Sequence, residues 1–317
     1  MLKIGKNILH RKAGLVILIL LFASKFVLGQ QDPMYTQYMF NTQTFNPAYA
    51  GTWNSIGFMA LSRMQWVGID GAPSTQTFSF QMPLQNRNVG IGLNVINDKI
   101  GIEKRFSMFA DYSYKINFGG KTNLRMGIKG GFSNYSNNLT DYVLYPDGKD
   151  DPSFRGDIKH RFLPNVGVGF LLENPDYYVG LSMPKVVNSK YENSSDDFVV
   201  SGEIQSFFLD AGYVVNMADG IRFKPTMLLK ATFGAPLQLD LSANVLLKDK
   251  FWLGAMYRTG DSFGFVAQWI IDHNLRLGYA IDFSTSNLRK YHYSSHEVMV
   301  SYELQIIKKQ ITSPRFF

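Results

Sequence analysis

The fold of this chain is decided by the stretch Leu237-Gln238-Leu239-Asp240-Leu241-Ser242-Ala243-Asn244-Val245-Leu246-Leu247. Apolar residues recur at every second position, which is the period of a β-strand with two different faces. In a soluble β-sandwich the leucines would form a core and the polar side chains would meet water. In an outer-membrane barrel the leucines would meet lipid and the polar side chains would line the lumen. The solvent on the apolar side therefore decides the class of protein.

The same alternation recurs along the chain and predicts about 14 strands, an even number, as single-chain bacterial barrels require. These strands lie near residues 55–66, 75–82, 89–98, 106–116, 123–134, 162–172, 177–183, 204–215, 221–231, 237–247, 252–258, 262–271, 275–283 and 297–306. Most span about 8 to 11 residues, the length that crosses a hydrocarbon layer at a tilt. Pro225 lacks a hydrogen-bond donor, so we place it near the inner rim of the barrel or at a bulge.

The predicted connections fall into two groups by length, as in outer-membrane barrels, where periplasmic turns are short and extracellular loops are longer. The predicted inner turns are Pro83–Asn88, Asn117–Thr122, Glu173–Asp176, Asn216–Gly220, Lys248–Phe251 and Asp272–Asn274. The longest connections are Tyr135–Arg161, Pro184–Glu203 and Ser284–His296, and all of them fall on the predicted outer side. This asymmetry favours the barrel over the sandwich.

Charged residues make up 18% of the chain and aromatic residues 15%, whereas a soluble domain carries about 25% charged residues. Aromatic residues cluster at the ends of the predicted strands, where a membrane barrel has its interfacial girdles. They are Tyr112, Tyr114, Tyr177, Tyr178, Phe207, Phe208, Trp252, Trp269, Tyr291 and Tyr293. Ordinary enrichment of aromatic residues in strands is the alternative. Together these features predict an all-β fold, an antiparallel transmembrane outer-membrane β-barrel over residues 53–307.

Residues 1–29 have the pattern of an export signal, with an apolar run over Ala13–Ala23 that follows a basic segment. The basic residues are Lys3, Lys6, Arg11 and Lys12. Cleavage after Gly29 would start the mature chain near Gln30, outside the cytoplasm. An uncleaved anchor is the alternative, because Lys25 is an unusual residue between an apolar run and a cleavage site.

The formal net charge of the whole chain is +7 at pH 7. The signal holds five basic residues and no acidic residue, so the mature chain keeps only about +2, which is weak support for a polyanionic partner. We therefore exclude nucleic acid as a partner. No cysteine is present, which excludes disulfides, thiolate metal sites, a cysteine nucleophile and a lipid-modified N-terminal cysteine.

The sequence carries no motif for catalysis, a metal or a cofactor. Its five histidines lie in the signal or in predicted loops and turns, so no two of them need converge. Metalloprotease, serine hydrolase, phosphate-binding and calcium-binding motifs are all absent. Asp151, Ser153 and His160 share a predicted outer loop, but a shared loop sets no catalytic geometry. We expect no enzyme activity, no metal and no cofactor.

The polar faces of the predicted strands carry charged residues, which we assign to the lumen. They are Asp111, Lys115, Arg125, Lys129, Arg222, Lys224, Lys230, Asp240, Arg258, Arg276, Asp282 and Glu303. Such a wall could line an aqueous path for anions. Alternatively, the charges form ion pairs that fill the lumen, or hold an inserted plug. We prefer the second interpretation.

Residues 30–52 form a leader that is too polar and irregular for a wall strand. It carries five aromatic residues between steps such as Asn46-Pro47 and Ala50-Gly51, which are typical of turns. Aromatic side chains in such a segment indicate that it docks, either inside the barrel mouth or on a periplasmic partner.

The mature chain, from this leader to its tail, resembles the PorP/SprF family of outer-membrane proteins, which are associated with type IX secretion and gliding motility in Bacteroidota. The resemblance covers Gln31–Asn41, Phe45–Gly51, Asp151–Phe154, Pro164–Gly169, Gly180–Pro184 and Ser313–Phe317. The leader and the tail are quite specific to the family, whereas the glycine-rich strand segments are weak by themselves.

The resemblance implies a protein of the bacterial outer membrane that supports type IX secretion. Its client would be a surface protein with a type IX sorting domain, often an adhesin for gliding or attachment, which it would export or anchor. The implied partners are outer-membrane lipid, this cognate surface protein and periplasmic components of the secretion system. A passive solute porin with a weakly basic lumen is the alternative function, and an outer-membrane hydrolase is a lesser one.

Under the same resemblance, three regions are expected to bind partners. In the leader, which would face the periplasmic machinery, the candidates are Gln31, Asp32, Pro33, Tyr35, Gln37, Tyr38, Phe40, Asn41, Asn46, Pro47, Tyr49 and Gly51. In the outer loops, which would receive the client, they are Tyr145, Asp151, Pro152, Phe154 and Pro184. In the periplasmic tail over residues 308–317, they are Pro314, Arg315, Phe316 and Phe317.

Overall fold

The computed structural model describes residues 32–53, 55–84, 88–139, 157–189, 191–192, 199–200 and 203–304. The predicted export signal and the predicted tail lie outside these residues. So do Gln31 of the leader and Tyr145, Asp151, Pro152 and Phe154 of the outer loops. None of the helices in the described part of the chain is long and apolar enough to cross a membrane.

The wall is one antiparallel sheet that closes on itself. In chain order the strands are β1 (Ile56–Met64), β2 (Ser74–Pro83), β3 (Val89–Ile100), β4 (Glu103–Gly119), β5 (Thr122–Asn137), β6 (Ile158–Glu173), β7 (Tyr177–Met183), β8 (Tyr191–Glu192), β9 (Val199–Val200), β10 (Ser206–Tyr213), β11 (Val215–Ala218), β12 (Ile221–Thr232), β13 (Gln238–Leu247), β14 (Phe251–Arg258), β15 (Ser262–Ile270), β16 (Leu275–Ser284) and β17 (Ser295–Leu304).

Neighbouring wall strands pair in chain order, and β1 pairs with β17 from Ile56 opposite Leu304 to Met64 opposite His296. Strands β10 and β11 occupy one place in the wall, because both pair with β12, while β8 and β9 pair only with each other. The described residues therefore form a closed barrel of 14 wall strands. This confirms the predicted fold class.

The alternation seen in the sequence sets the two faces of the wall. In β13, Leu241 is exposed on the outside, whereas Asp240 and Ser242 on either side of it are buried inside. In β17, Val300 is exposed and Met299 is buried. An apolar outer belt with a polar interior is the arrangement that lipid requires of a membrane barrel.

The two ends of the barrel differ in their connections. At one end, here called the inner end, the gaps between strands are short, such as 120–121 between β4 and β5 and 248–250 between β13 and β14. At the outer end the connections 138–157, 184–205 and 285–294 are much longer. The predicted loop Tyr135–Arg161 is too long by a few residues on each side, because β5 and β6 pair up to Asn137 and Ile158.

The predicted single strand 204–215 is wrong in detail, because the structure interrupts it between β10 and β11. The register places this interruption opposite Pro225 and its neighbour in β12. A proline cannot donate to the ladder, so pairing weakens there. The predicted turn Asn216–Gly220 is also shorter than expected, since β11 continues to Ala218 with an irregular register.

The lumen and its N-terminal plug

Residues 32–52, the described part of the leader, lie inside the barrel and form no wall strand. It contains three short 3-10 helices, Tyr38–Phe40, Thr42–Thr44 and Pro47–Tyr49. The third begins with a side-chain cap, in which Asn46 accepts a hydrogen bond from the Ala48 amide at 3.0 Å. Four of the five leader aromatic residues are buried.

The leader runs from the outer end of the lumen to the inner end. Asp32 contacts Lys185, which lies two residues beyond the outer end of β7. Twenty residues later, Thr52 contacts Gln81 near the inner end of β2. The chain then reverses into β1. Each leader segment therefore faces a different level of the wall.

Inward-facing aromatic residues of the wall pack against those of the leader. Phe45 stacks on Phe208 with ring centroids 5.6 Å apart, and Tyr49 meets Tyr178 edge-on at 6.2 Å. Phe40 lies 6.2 Å from Trp252. The prediction that Tyr178, Phe208 and Trp252 form an interfacial girdle is wrong, because all three are buried in the lumen. In the doublets Tyr177-Tyr178 and Phe207-Phe208, strand geometry turns only one ring outward.

Glycines on the inner face of the wall make room for the leader backbone. A Cβ atom at Gly127 would lie 2.3 Å from the Ala48 nitrogen, and one at Gly90 would lie 2.1 Å from the Ala50 oxygen. Gly51 has φ of +70°, in the left-handed region that glycine adopts without strain. Inward-facing glycines such as Gly90 and Gly127 therefore lie where the leader backbone packs against the wall.

A buried carboxylate in β17 holds the first turn of the leader. Glu297 accepts hydrogen bonds from the backbone amides of Thr36 and Gln37, each at 2.9 Å. Arg63 in β1 bonds to Glu297 at 3.2 Å and to Asp282 at 2.8 Å. Arg63 also donates to the Thr36 hydroxyl at 2.8 Å. This cluster is charged but well connected, as buried ion pairs must be.

A second ion pair lies beneath Tyr35. Arg258 binds Asp240 with two of its nitrogens, at 2.8 to 3.0 Å, and also donates to the Tyr35 backbone oxygen at 3.1 Å. The planar guanidinium suits this bidentate contact. Asp240 thus stabilises an arginine that holds the leader.

A third cluster holds the middle of the leader. Lys129 donates to the backbone oxygens of Gln43 at 3.3 Å and Thr44 at 2.9 Å, and pairs with Asp111 at 3.6 Å. The Gln43 side chain donates to Asp111 at 3.0 Å. Asn94 also donates to Asp111. Charged wall residues and leader backbone therefore satisfy each other.

Tyrosine phenols anchor the leader as neutral donors. Tyr49 donates to Asp210 at 2.5 Å. Burial, and then the nearby charge of Asp210, raise the pKa of Tyr49 well above its usual value. Burial likewise raises the pKa of Tyr38 to about 12, and its hydroxyl lies 2.8 Å from that of Thr226. Both phenols keep their protons at neutral pH.

Lys224, which is fully buried, lies among aromatic rings of the leader and the wall. Its Nζ atom is 5.6 Å from the ring centroid of Phe40, 5.7 Å from that of Tyr178 and 5.9 Å from that of Trp252. Such cation–π contacts favour a charge that has left water.

The outer end of the leader meets a basic cluster, which consists of Arg105, Lys185 and Lys230. Lys185 pairs with Asp32 at 2.8 Å and with Glu203 at 2.9 Å. Arg105 lies 4.0 Å from the Asp32 carboxylate, and Lys230 donates to the Asp32 backbone oxygen at 3.2 Å. Glu203 is buried and also accepts from side chains in β5 and β6.

The basic cluster changes the acidity of Asp32. Burial by itself raises the pKa of this carboxyl, but Lys185, Lys230 and Arg105 outweigh burial and hold the pKa below its usual value of 3.8. For Lys185, burial lowers the pKa, but Asp32 and Glu203 outweigh it and raise the pKa above its usual value of 10.5. Both partners are therefore charged at neutral pH.

The remaining predicted lumen charges lie nearer the inner end. Arg125 pairs with Glu173 at 2.7 Å, and Arg276 pairs with Glu303 at 2.5 Å. Arg222 pairs with Asp249 in an inner turn, so it does not reach the leader-filled interior. Lys115 is only partly buried. Pro184, the one predicted loop residue that the structure describes, is buried beside the basic cluster.

Small cavities remain between the leader and the wall in the described part of the chain, one toward each end of the lumen. The outer cavity, about 70 Å³, is lined by apolar side chains such as Phe45, Phe109 and Phe208, and by Lys129 and Lys185. The inner cavity, about 40 Å³, is lined by the leader and by residues that include Gln81, Gln268 and Arg276. Among the described residues, no group of three histidine, aspartate or glutamate side chains is placed to hold a metal ion.

Residues 27–302 match a family described as Type IX secretion system membrane protein PorP/SprF. Among curated proteins, no sequence matches the chain. Similar solved structures include Acinetobacter baumannii Omp33, with 9% identity and a TM-score of 0.46 over 79% of this chain and 99% of that one. The CymD monoaromatic hydrocarbon channel has 11% identity and a TM-score of 0.49 over 88% and 95%. The KdgM porin has 10% identity and a TM-score of 0.40 over 78% and 99%.

Proposed function

Because the chain belongs to the PorP/SprF family of type IX secretion system membrane proteins, we propose that this outer-membrane barrel exports or anchors one cognate surface protein. That client carries a type IX sorting domain and acts as an adhesin in gliding or attachment. Membership of the secretion system implies partners within it, and outer-membrane lipid surrounds the apolar belt.

One observation carries the choice of function, namely that the leader fills the lumen. A passive porin needs a water-filled path along a charged wall, but here Arg63, Lys129 and Arg258 are buried against the leader. The wall charges therefore serve an internal segment. This supports a barrel that works with a protein partner rather than one that passes solutes.

The outer connections 138–157 and 184–205 are proposed to receive the client, because they are the longest connections at the outer end. The leader has less surface to offer a periplasmic partner, since most of its side chains contact the wall. We therefore place any periplasmic contact of the leader at its inner end, around Thr52 and Trp53, and a second contact at the tail.

The test is to delete the gene and compare cell-surface proteins before and after. We expect one surface protein with a type IX sorting domain to disappear from the surface, and to return when the wild-type gene is restored. A gene that lacks residues 140–156 of the outer connection between β5 and β6 is expected to restore the barrel but not the display. Unchanged display of all such proteins in the deletion strain would contradict the proposal.

The porin alternative has its own test on purified protein in planar lipid bilayers. Large and steady open channels from the wild-type chain, without any client, would favour a porin. We expect the wild-type protein to remain closed, because the leader occupies the conducting path.

A further inference from the structure

We propose that the basic cluster of Arg105, Lys185 and Lys230 is a recognition site for a peptide carboxylate next to an apolar side chain. Asp32 of the leader occupies this site in the plugged barrel, and a carboxylate of the client takes its place. The identification of the ligand as part of the client rests on the proposed function. The site itself rests on contacts within the chain.

The cluster is built around one carboxylate. Lys185 bonds directly to Asp32 and to Glu203, and Arg105 faces the same Asp32 oxygen at 4.0 Å. The Lys185 side chain is only 13% exposed and the Arg105 side chain only 12%. If Asp32 left, Lys185 would keep Glu203 as a partner, but these two mostly buried cations would lose the carboxylate that they share, which is costly. An incoming anion would remove that cost.

The site can be reached from the outer solvent. The Asp32 side chain is 21% exposed, and Lys185 belongs to the connection between β7 and β10 at the outer end. Glu203, at the other end of that connection, is fixed by hydrogen bonds from Ser133 at 2.6 Å and Asn165 at 2.9 Å. Lys185 is therefore held in place on one side while its contact with the leader is open to exchange.

The neighbouring cavity selects the chemistry of the ligand. The surface of this cavity, which Lys185 also lines, is mostly apolar and includes Phe109, Phe208 and Leu228, while Asn94 and Asp98 are among its polar residues. A carboxylate next to an aromatic or aliphatic side chain would place its charge on the basic cluster and its apolar group in this cavity. A hydrated phosphate would leave the apolar walls without a partner, so we assign the site to a peptide rather than to a lipid headgroup.

The experiment measures binding of N-acetyl-phenylalanine to the purified full-length protein by titration calorimetry. We expect weak binding to the wild type, because Asp32 competes. Asp32→Asn should tighten binding about tenfold, since a single hydrogen bond to a charged group is worth at least that factor. Adding Lys185→Gln to Asp32→Asn should remove the gain. Adding Lys104→Gln should not, because Lys104 is exposed beside Arg105 but lies outside the cluster.

Two control ligands decide the chemistry. N-acetyl-phenylalanine amide has the same ring without the charge, and inorganic phosphate has the charge without the ring; neither is expected to bind Asp32→Asn as tightly. Equal binding of the amide, or full displacement of the acid by phosphate at the same concentration, would overturn the proposal. So would an Asp32→Asn protein that still migrates as a folded barrel on gels when the sample is not heated, but binds N-acetyl-phenylalanine no more tightly than the wild type. None of these outcomes depends on the display experiment, so the two proposals fail separately.

Discussion

Single residues decide whether the barrel is filled, and the inward glycines show this most directly. Gly127 in β5 faces the leader, whereas Gly130 in the same strand has no atom within 4 Å of its missing Cβ. Gly127 is buried on the inner face of the wall, and Gly130 is exposed on the outer face. The first therefore reports on leader packing and the second on strand propensity alone.

Replacing Gly127 with alanine is expected to displace the leader, because the new Cβ would overlap the Ala48 backbone. Overpacking of this kind costs about 1–3 kcal/mol in the free energy of unfolding. The measurements are urea unfolding and limited proteolysis of the leader in the folded barrel. Gly130→Ala is the matched control and should leave both unchanged. Equal protease resistance of the leader in the two variants would show that the leader does not pack against Gly127.

Asp32 gives a prediction about pH. Its pKa is lower in the folded protein than its usual value of 3.8, so its pairing contributes stability above that value and loses it as the pH falls toward the folded pKa. The pKa of its partner, Lys185, is raised above 10.5, so both side chains stay charged between the two pKa values. We expect Asp32→Asn to cost about 1–2 kcal/mol near neutral pH. The cost should shrink below a pH of about 4, and a cost that is independent of pH would contradict the assignment.

At the scale of elements, the wall could be predicted from the sequence and the position of the leader could not. Strands such as β13 and β17 show strict alternation. In a membrane barrel the apolar residues must face the lipid and the polar residues the lumen, so the alternation allows only one arrangement. The leader has no such period. Its aromatic residues are compatible with docking in the lumen or on another protein, and the sequence left both open.

The sequence did contain a signal for the wall side of the leader site. The doublets Tyr177-Tyr178 and Phe207-Phe208 place one ring on each face, so one ring of each pair must enter the lumen. Inward aromatic residues need an apolar neighbour that a water-filled pore does not supply. Combined with the inward glycines, the doublets would have favoured a plug. Trp252 follows the same logic, since its neighbours Phe251 and Leu253 are exposed to lipid.

Removing the leader as an element is expected to open the barrel. Deletion of residues 32–50 leaves the wall strands intact but exposes Arg63, Lys129 and Arg258 to water. We expect steady ion currents in planar bilayers from this variant and closed behaviour from the wild type. A deletion of equal length within the outer loop, over residues 139–157, is the control and should stay closed. A folded but silent leader deletion would mean that other segments close the lumen.

The direction in which the leader crosses the barrel determines which side of the membrane Asp32 faces. Asp32 lies among outer-end residues, and Thr52 lies at the inner end. The leader therefore runs through the lumen, with Asp32 at the outer end and Thr52 at the inner end. That arrangement places the earliest described residues beside the loops that are proposed to receive the client.

An epitope inserted directly before Asp32 is expected to be reached by antibody on intact cells. The same epitope in the inner turn at residues 248–250 should be reached only after the cells are opened. Fluorescent antibody binding before and after permeabilisation measures both. If the insertion before Asp32 were labelled only in opened cells, the orientation of the leader would be opposite to the one described.

The Glu297 cluster has a consequence for how the protein is made. Arg63 belongs to the first wall strand and Glu297 to the last, and Thr36 of the leader bonds to both. Thr36 therefore links the two strands at the seam of the barrel, β1 and β17. It precedes both strands in the chain. Because Thr36, Arg63 and Glu297 complete one cluster, we expect closure of the seam between β1 and β17 to be coupled to placement of the leader in the lumen.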